Sequence, residues 1–228
     1  GRVIAFGARA LGDAQPKYLN SGEGPTFSKK TILYGLVQAR EGLRRKLPLV
    51  VGEGYMDVIA LAQMGIRNAV ATLGTATSTR HLTRMFRAVS EVVFCFDGDT
   101  AGRNAAWRAL ETSLPLMEDG RRVRFLFLPD GEDPDTRVRS IGTEGFVQEI
   151  EQATPLEQFF FDKLSEGIDI QSIEGKARLS NLAKPLIRLF PKGVYGQLML
   201  DKLSETLGIS SESMDQLLAS APPKRGSL

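Results

Sequence analysis

From Leu47 onward, short apolar runs alternate with helical patterns. The runs are Leu49 to Glu53, Asn68 to Leu73, Glu91 to Phe96 and Arg122 to Leu128, and between them lie helical stretches over 57–64, 78–89 and 101–117. Runs of this length, rich in β-branched and aromatic residues and separated by helices, predict a parallel sheet with right-handed crossovers. Sheets of this kind bind ligands at the carboxyl edge of their strands. Two of the runs deliver acids to that edge: Glu53 follows Leu-Val-Val-Gly, and Asp97-Gly-Asp99 follows Val-Val-Phe-Cys-Phe. Three converging carboxylates repel one another unless a cation stands between them, so the pattern asks for a hard divalent ion.

The acids differ in how far a structural role explains them. In Asp97-Gly98-Asp99 an extended chain turns both carboxylates to one side, and the glycine lets the backbone bend. Glu53 lies between Gly52 and Gly54, which keeps bulk away from it. Asp57, four residues on, is either a metal ligand or an acid placed at a helix start to favour its dipole. A third cluster, Asp130-Gly-Glu132-Asp133-Pro-Asp135, follows the strand at 122–128 and opens a helix with Pro134 in its first turn. Its acids exceed what one helix cap needs, which favours a second metal ion.

Composition excludes other chemistry. Cys95 is the single cysteine and His81 the single histidine, so no disulfide and no His/Cys zinc cluster can form within the 228 residues. A reducing, cytoplasmic setting is expected, and no apolar stretch reaches the length that spans a bilayer. The net charge is only +2, but residues 1–50 are basic and residues 51–150 acidic. A basic segment beside an acidic one suits a polyanion held near a metal. The start at Gly1, already within a strand pattern, reads as a fragment of something longer. The expected organisation is a partial basic subdomain over 1–46, with a hairpin from Val3–Phe6 and Pro16–Ser21, then an α/β domain over 47–142. A helical bundle over 143–221 and a flexible tail over 222–228 complete it, with no strand expected after Asp135.

Together, Glu53-Gly-Tyr-Met-Asp57, Asp97-Gly-Asp-Thr-Ala-Gly-Arg103 and Asp130-Gly-Glu-Asp-Pro-Asp135 resemble the acidic motifs of the Toprim domain in bacterial DnaG-type primases. Upstream, Pro16-Lys-Tyr-Leu-Asn-Ser21 and Phe27-Ser-Lys29 resemble the basic subdomain of those primases. The resemblance implies a Toprim-type parallel sheet with flanking helices, preceded by part of a basic α+β subdomain and followed by a helical bundle. It implies a DNA-directed RNA polymerase of the primase type, making short RNA primers on single-stranded DNA from ribonucleoside triphosphates within a primosome. By position, Glu53, Asp97 and Asp99 would be catalytic and hold Mg²⁺ or Mn²⁺, and Asp57, Asp133 and Asp135 would support a further ion. Lys17, Tyr18, Asn20 and Lys29, with Arg9, would line the nucleotide site. A guanosine tetraphosphate type inhibitor would compete there, and a replicative helicase would be met through regions absent from this chain. The setting implied is the bacterial cytoplasm, at the nucleoid, with no membrane partner.

Two rival readings remain: a topoisomerase fragment, which needs a nucleophilic tyrosine, and a non-catalytic nucleotide- or DNA-binding module. Tyr18 reads equally as a stacking platform and as core filler. Arg80, Arg84 and Arg87 form one helix stripe, and Arg40, Arg44 and Arg45 another basic run; each is either a DNA contact or a solvated face.

Overall fold

The computed structural model describes residues 3–10, 15, 18–73 and 76–219. The expected tail at 222–228 lies outside them. The chain divides into two compact units, Gly1–Thr112 with Arg122–Pro155, and Ser113–Arg121 with Leu156–Leu228.

The first unit opens with an antiparallel hairpin of β1 (Gly7–Arg9) and β2 (Tyr18–Asn20), in which Gly7 faces Asn20. Val3, Ile4 and Phe6, expected to be the first strand, are exposed instead. Pairing needs a partner strand, and the partner reaches only as far as Ser21, whose hydroxyl accepts the Phe6 N–H at 2.9 Å. After α1 (Leu36–Arg44) comes the sheet: β3 (Leu49–Gly52), α2 (Tyr55–Gln63), β4 (Ala69–Ala71), α3 (Thr79–Phe86), β5 (Glu91–Phe96), α4 (Thr100–Ser113) and β6 (Arg122–Phe127). The strand order is β4-β3-β5-β6, all parallel, with Val51 beside Phe94 and Phe94 beside Phe125.

A fifth strand, β7 (Thr154–Pro155), joins the edge antiparallel to β6, against the expectation of no strand after Asp135. It has only two residues, and a proline without an N–H is tolerated at an edge. Between β6 and β7 runs α5 (Pro134–Glu151), broken at Gly142, where φ is 74°. Beyond the break, Phe146 and Ile150 are buried in the core of the sheet with Val50, Leu61, Val93, Cys95 and Leu126. The helical pattern alone groups this half-helix with the later ones, yet it packs on the sheet. On the opposite face Phe94 stacks on Phe96 and Phe125 at 6.0 and 5.8 Å.

The second unit is helical: a 3₁₀ turn at Leu114–Leu116, then α6 (Leu156–Ser165), α7 (Ile173–Ile187), α8 (Val194–Leu207) and α9 (Ser211–Ala219). Asp119 accepts the Val194 and Tyr195 N–H groups at 3.1 and 2.8 Å, so a residue 75 positions upstream caps α8. No helix among the described residues is long and apolar enough to cross a membrane.

Phe146 is fully buried. Phe146→Ala is expected to destabilise the protein by about 3–5 kcal/mol, the usual cost of emptying a phenylalanine site, as read by urea unfolding.

Candidate metal and nucleotide site

Three neighbouring strands end in acidic turns, and each turn starts a helix. Glu53 leaves β3, and Gly54 starts α2; Asp57, in its first turn, accepts the Gly54 N–H at 3.0 Å. Asp97 leaves β5; Asp99 accepts the Gly102 N–H at 2.7 Å at the start of α4. Asp133 caps α5, accepting the Thr136 N–H at 2.8 Å. Asp57 therefore acts at its helix start, and a carboxylate so engaged keeps further lone pairs that a cation could use.

Glycine is required in the middle turn. A Cβ on Gly98 would lie 2.1 Å from the Leu128 carbonyl oxygen, and one on Gly102 would lie 2.1 Å from that of Asp97. This packing presses the Asp97–Asp99 turn against the end of β6, and so toward the third cluster.

The acids feel one another. Loss of water raises the Glu53 carboxyl above its ordinary range, the Asp97 and Asp99 charges raise it further, and Arg108 opposes them. Asp57 is pushed up to about 6, first by loss of water; the Gly54 N–H opposes this, and Asp133, Asp97 and Glu53 add to it. Asp97 is raised by loss of water, then by Asp133 and Asp99. The donors are hard oxygens, which suits Mg²⁺ or Mn²⁺. Among the described residues no three of His, Cys, Asp and Glu stand close enough to hold one ion together. Each ion would thus take one or two carboxylates and complete its shell with water or phosphate, as Mg²⁺ commonly does.

Asp135 is not drawn into this group: it pairs with Arg139 one turn on. Glu132 likewise pairs with Arg137, which also grips Glu149 beyond the helix break.

The basic side is partly in place. Arg9 lies over the Tyr18 ring, 5.8 Å from its centroid, and Tyr18 meets Tyr55 edge-on at 5.3 Å. A Cβ on Gly54 would be 3.9 Å from the Tyr18 hydroxyl, so the hairpin stands beside the Glu53 turn. Tyr18 is 37% exposed and is not core filler; Tyr55 is the buried ring. A Cβ on Gly7 would lie 3.2 Å from both Asn20 Oδ1 and the Tyr55 ring, which puts Asn20 at the same junction. Lys29 sits on a loop tied to α3, where the Ser78 hydroxyl donates to the Lys30 carbonyl at 2.6 Å and Arg84 to that of Thr31 at 3.3 Å. Arg84 is therefore structural, at least in part. Arg45 pairs with Glu41 on the surface. Lys17 lies outside the described residues.

The sequence reading missed a cavity of about 200 Å³ beside Glu53, lined among others by Thr72, Thr77, Phe94, Phe96 and Arg108. Nothing in the pattern of α4 singles out Arg108. It becomes visible only once the crossover sets α4 over the β5 aromatics.

A DNA primase domain from Pseudomonas aeruginosa matches with 56% identity and a TM-score of 0.91, over 96% of this chain and 69% of that one. The chain belongs to the bacterial DnaG-type DNA primases. Three family models match it: "DNA primase catalytic core, N-terminal domain" over residues 1–40, "Toprim-like" over 50–138, and "DnaB-helicase binding domain of primase" over 158–212. A DnaG primase catalytic domain bound to ssDNA is 51% identical with a TM-score of 0.88, over 93% of this chain and 68% of that one. The Pseudomonas putida DNA primase is 56% identical over 97% of this chain but only 34% of its own length. The chain thus spans about a third of that curated relative. The Toprim match implies use of divalent metal in general terms, and the topoisomerase alternative falls away. One expectation is corrected. The resemblance places helicase contact in regions absent from the chain, whereas the helicase-binding family model falls inside it, from α6 to α9.

Two outcomes are expected. Asp57→Asn keeps an oxygen for the Gly54 N–H and removes the charge. Because burial raises the folded-state pKa, native Asp57 stabilises the fold at low pH and loses that contribution as pH rises through about 6. The variant should therefore be more stable than the parent by about 1–2 kcal/mol at pH 7.5 without metal, and the gain should shrink toward pH 5 in chemical unfolding. Gly98→Ala should cost about 2–3 kcal/mol through the forced contact with Leu128 and weaken Mn²⁺ binding measured by electron paramagnetic resonance.

Proposed function

We propose that this chain carries the nucleotidyl-transfer centre of a primase, which joins ribonucleoside triphosphates into short RNA primers on a single-stranded DNA template. The observation that carries this reading is the mutual field of Glu53, Asp57, Asp97, Asp99 and Asp133 at one sheet edge, beside the hairpin of Arg9, Tyr18 and Asn20. In the transfer, the primer 3′-oxygen bonds to the α-phosphorus, the bond to pyrophosphate breaks, and the hydroxyl proton leaves. Mg²⁺ or Mn²⁺ ions, each held by one or two of Glu53, Asp97 and Asp99, with a further ion near Asp57 and Asp133, would supply charge neutralisation. Asp135, engaged with Arg139, would join only by releasing it.

Glu53, whose affinity for a proton is raised by its surroundings, is the natural acceptor of the hydroxyl proton. Lys29 and Lys17 would neutralise triphosphate charge, Arg9 would reinforce them, Tyr18 would stack on base or sugar and Asn20 would orient it. A guanosine tetraphosphate type inhibitor, which shares the charged phosphates, would compete at this place. The replicative helicase is the partner suggested for residues 158–212 by the family model that matches them. The proposed setting is the bacterial cytoplasm, at the nucleoid.

Asp97→Asn in the full-length primase is expected to weaken Mn²⁺ binding at least tenfold and reduce dinucleotide synthesis by two orders of magnitude or more. Both would be measured with a purified variant whose melting temperature does not fall. Intact priming by the variant would support the non-catalytic reading instead.

A further inference from the structure

We infer that the cavity between Glu53 and α4 is an anion subsite, in which Arg108 binds a phosphate group of the substrate. The inference rests on the nucleotidyl-transfer reading and deepens it.

Among the described residues, the Arg108 guanidinium has no hydrogen-bond or ion-pair partner; it acts on Glu53 only through its field. Its five donors remain available in a planar fork that matches phosphate oxygens. Arg103, also on α4, is occupied over the Phe127 ring at 5.1 Å. The cavity floor is Val51, Phe94 and Phe96, all buried, and Ala76 and Ala105 add small apolar walls. Arg108 is exposed at the rim of this space, so a phosphate can reach it from solvent. Thr77 also lines the space and adds a hydroxyl donor.

The position has a chemical logic. Transfer at an α-phosphorus needs the attacking 3′-hydroxyl oxygen and the departing pyrophosphate on opposite sides of that phosphorus, so the acids have phosphates of the triphosphate and of the strand that carries the hydroxyl as neighbours. Arg9 of the hairpin is one cationic group near the acids, and Arg108 on α4 is a second. The phosphate has two possible sources, the nucleoside triphosphate and the backbone of the nucleic-acid strand.

The test uses this chain with Arg108→Gln and Arg108→Lys, at fixed Mn²⁺. Three affinities are read: ATP by calorimetry, a short RNA annealed to single-stranded DNA by anisotropy, and Mn²⁺ by electron paramagnetic resonance. Arg108→Gln is expected to weaken ATP or strand binding about tenfold, the loss of one charge-assisted contact. Mn²⁺ binding should be unchanged or tighter, because a positive charge has left the acids, and Arg108→Lys should recover part of the loss. Loss confined to ATP identifies the triphosphate as the source. Loss confined to the strand, with a salt slope lower by about 1, identifies a backbone phosphate; loss in both supports the subsite for both. Unchanged ATP and strand binding overturns the inference, and leaves the proposed function standing if Asp97→Asn still loses Mn²⁺. A parallel drop in all three affinities also overturns it, since Arg108 would then be shaping the fold.

Discussion

Several carboxylates cannot crowd one edge of a sheet without help, and here each turn that holds them begins a helix. Backbone N–H groups at the starts of α2, α4 and α5 donate to Asp57, Asp99 and Asp133, and the positive ends of the helix dipoles favour the same charges. Because β3, β5 and β6 are neighbours in the sheet, the three turns are neighbours too. The close approach of Gly98 to the Leu128 carbonyl leaves no room for slack between two of them. The caps offset part of the repulsion, and the remainder is a standing attraction for cations.

Tyr55 links this acidic edge to the basic hairpin. It is the first residue of α2, two positions after Glu53, and its buried ring receives Tyr18 and Tyr34 at 5.3 and 5.7 Å. One backbone turn therefore carries the acid and, two residues on, the ring against which the hairpin and Tyr34 pack. Burial raises the Tyr55 hydroxyl above its ordinary range, so the ring acts as an uncharged wedge.

How much of this was legible in the sequence follows the physics of each element. β3, β5 and β6 announce themselves, since a buried parallel strand must be apolar on both faces. The acids at their ends were legible for the same reason, standing where the apolar runs stop. β7 was not, because two residues ending in proline carry no period. The break at Gly142 hid inside a continuous helical pattern; only a positive φ reveals it. Asp135 looked equivalent to Asp133 by spacing, yet an arginine four residues on captures it. Arg108 was invisible for a different reason: it lies far from Glu53 in sequence, and the crossover brings them together.

The path of the chain qualifies the idea of separable modules. The backbone leaves the sheet unit after Thr112, returns at Arg122 and leaves again after Pro155. The brief excursion carries buried Leu114 and Met117 and the carboxylate that caps α8. Family models cut the chain into successive blocks, but no single scission does. A piece ending at Pro155 keeps an excursion whose helices are gone, and a piece starting at Leu156 has lost the start signal of one of its own helices. Evolution could therefore exchange the helical unit among relatives only together with nine residues embedded in the sheet domain, a constraint that ties the two histories to one another.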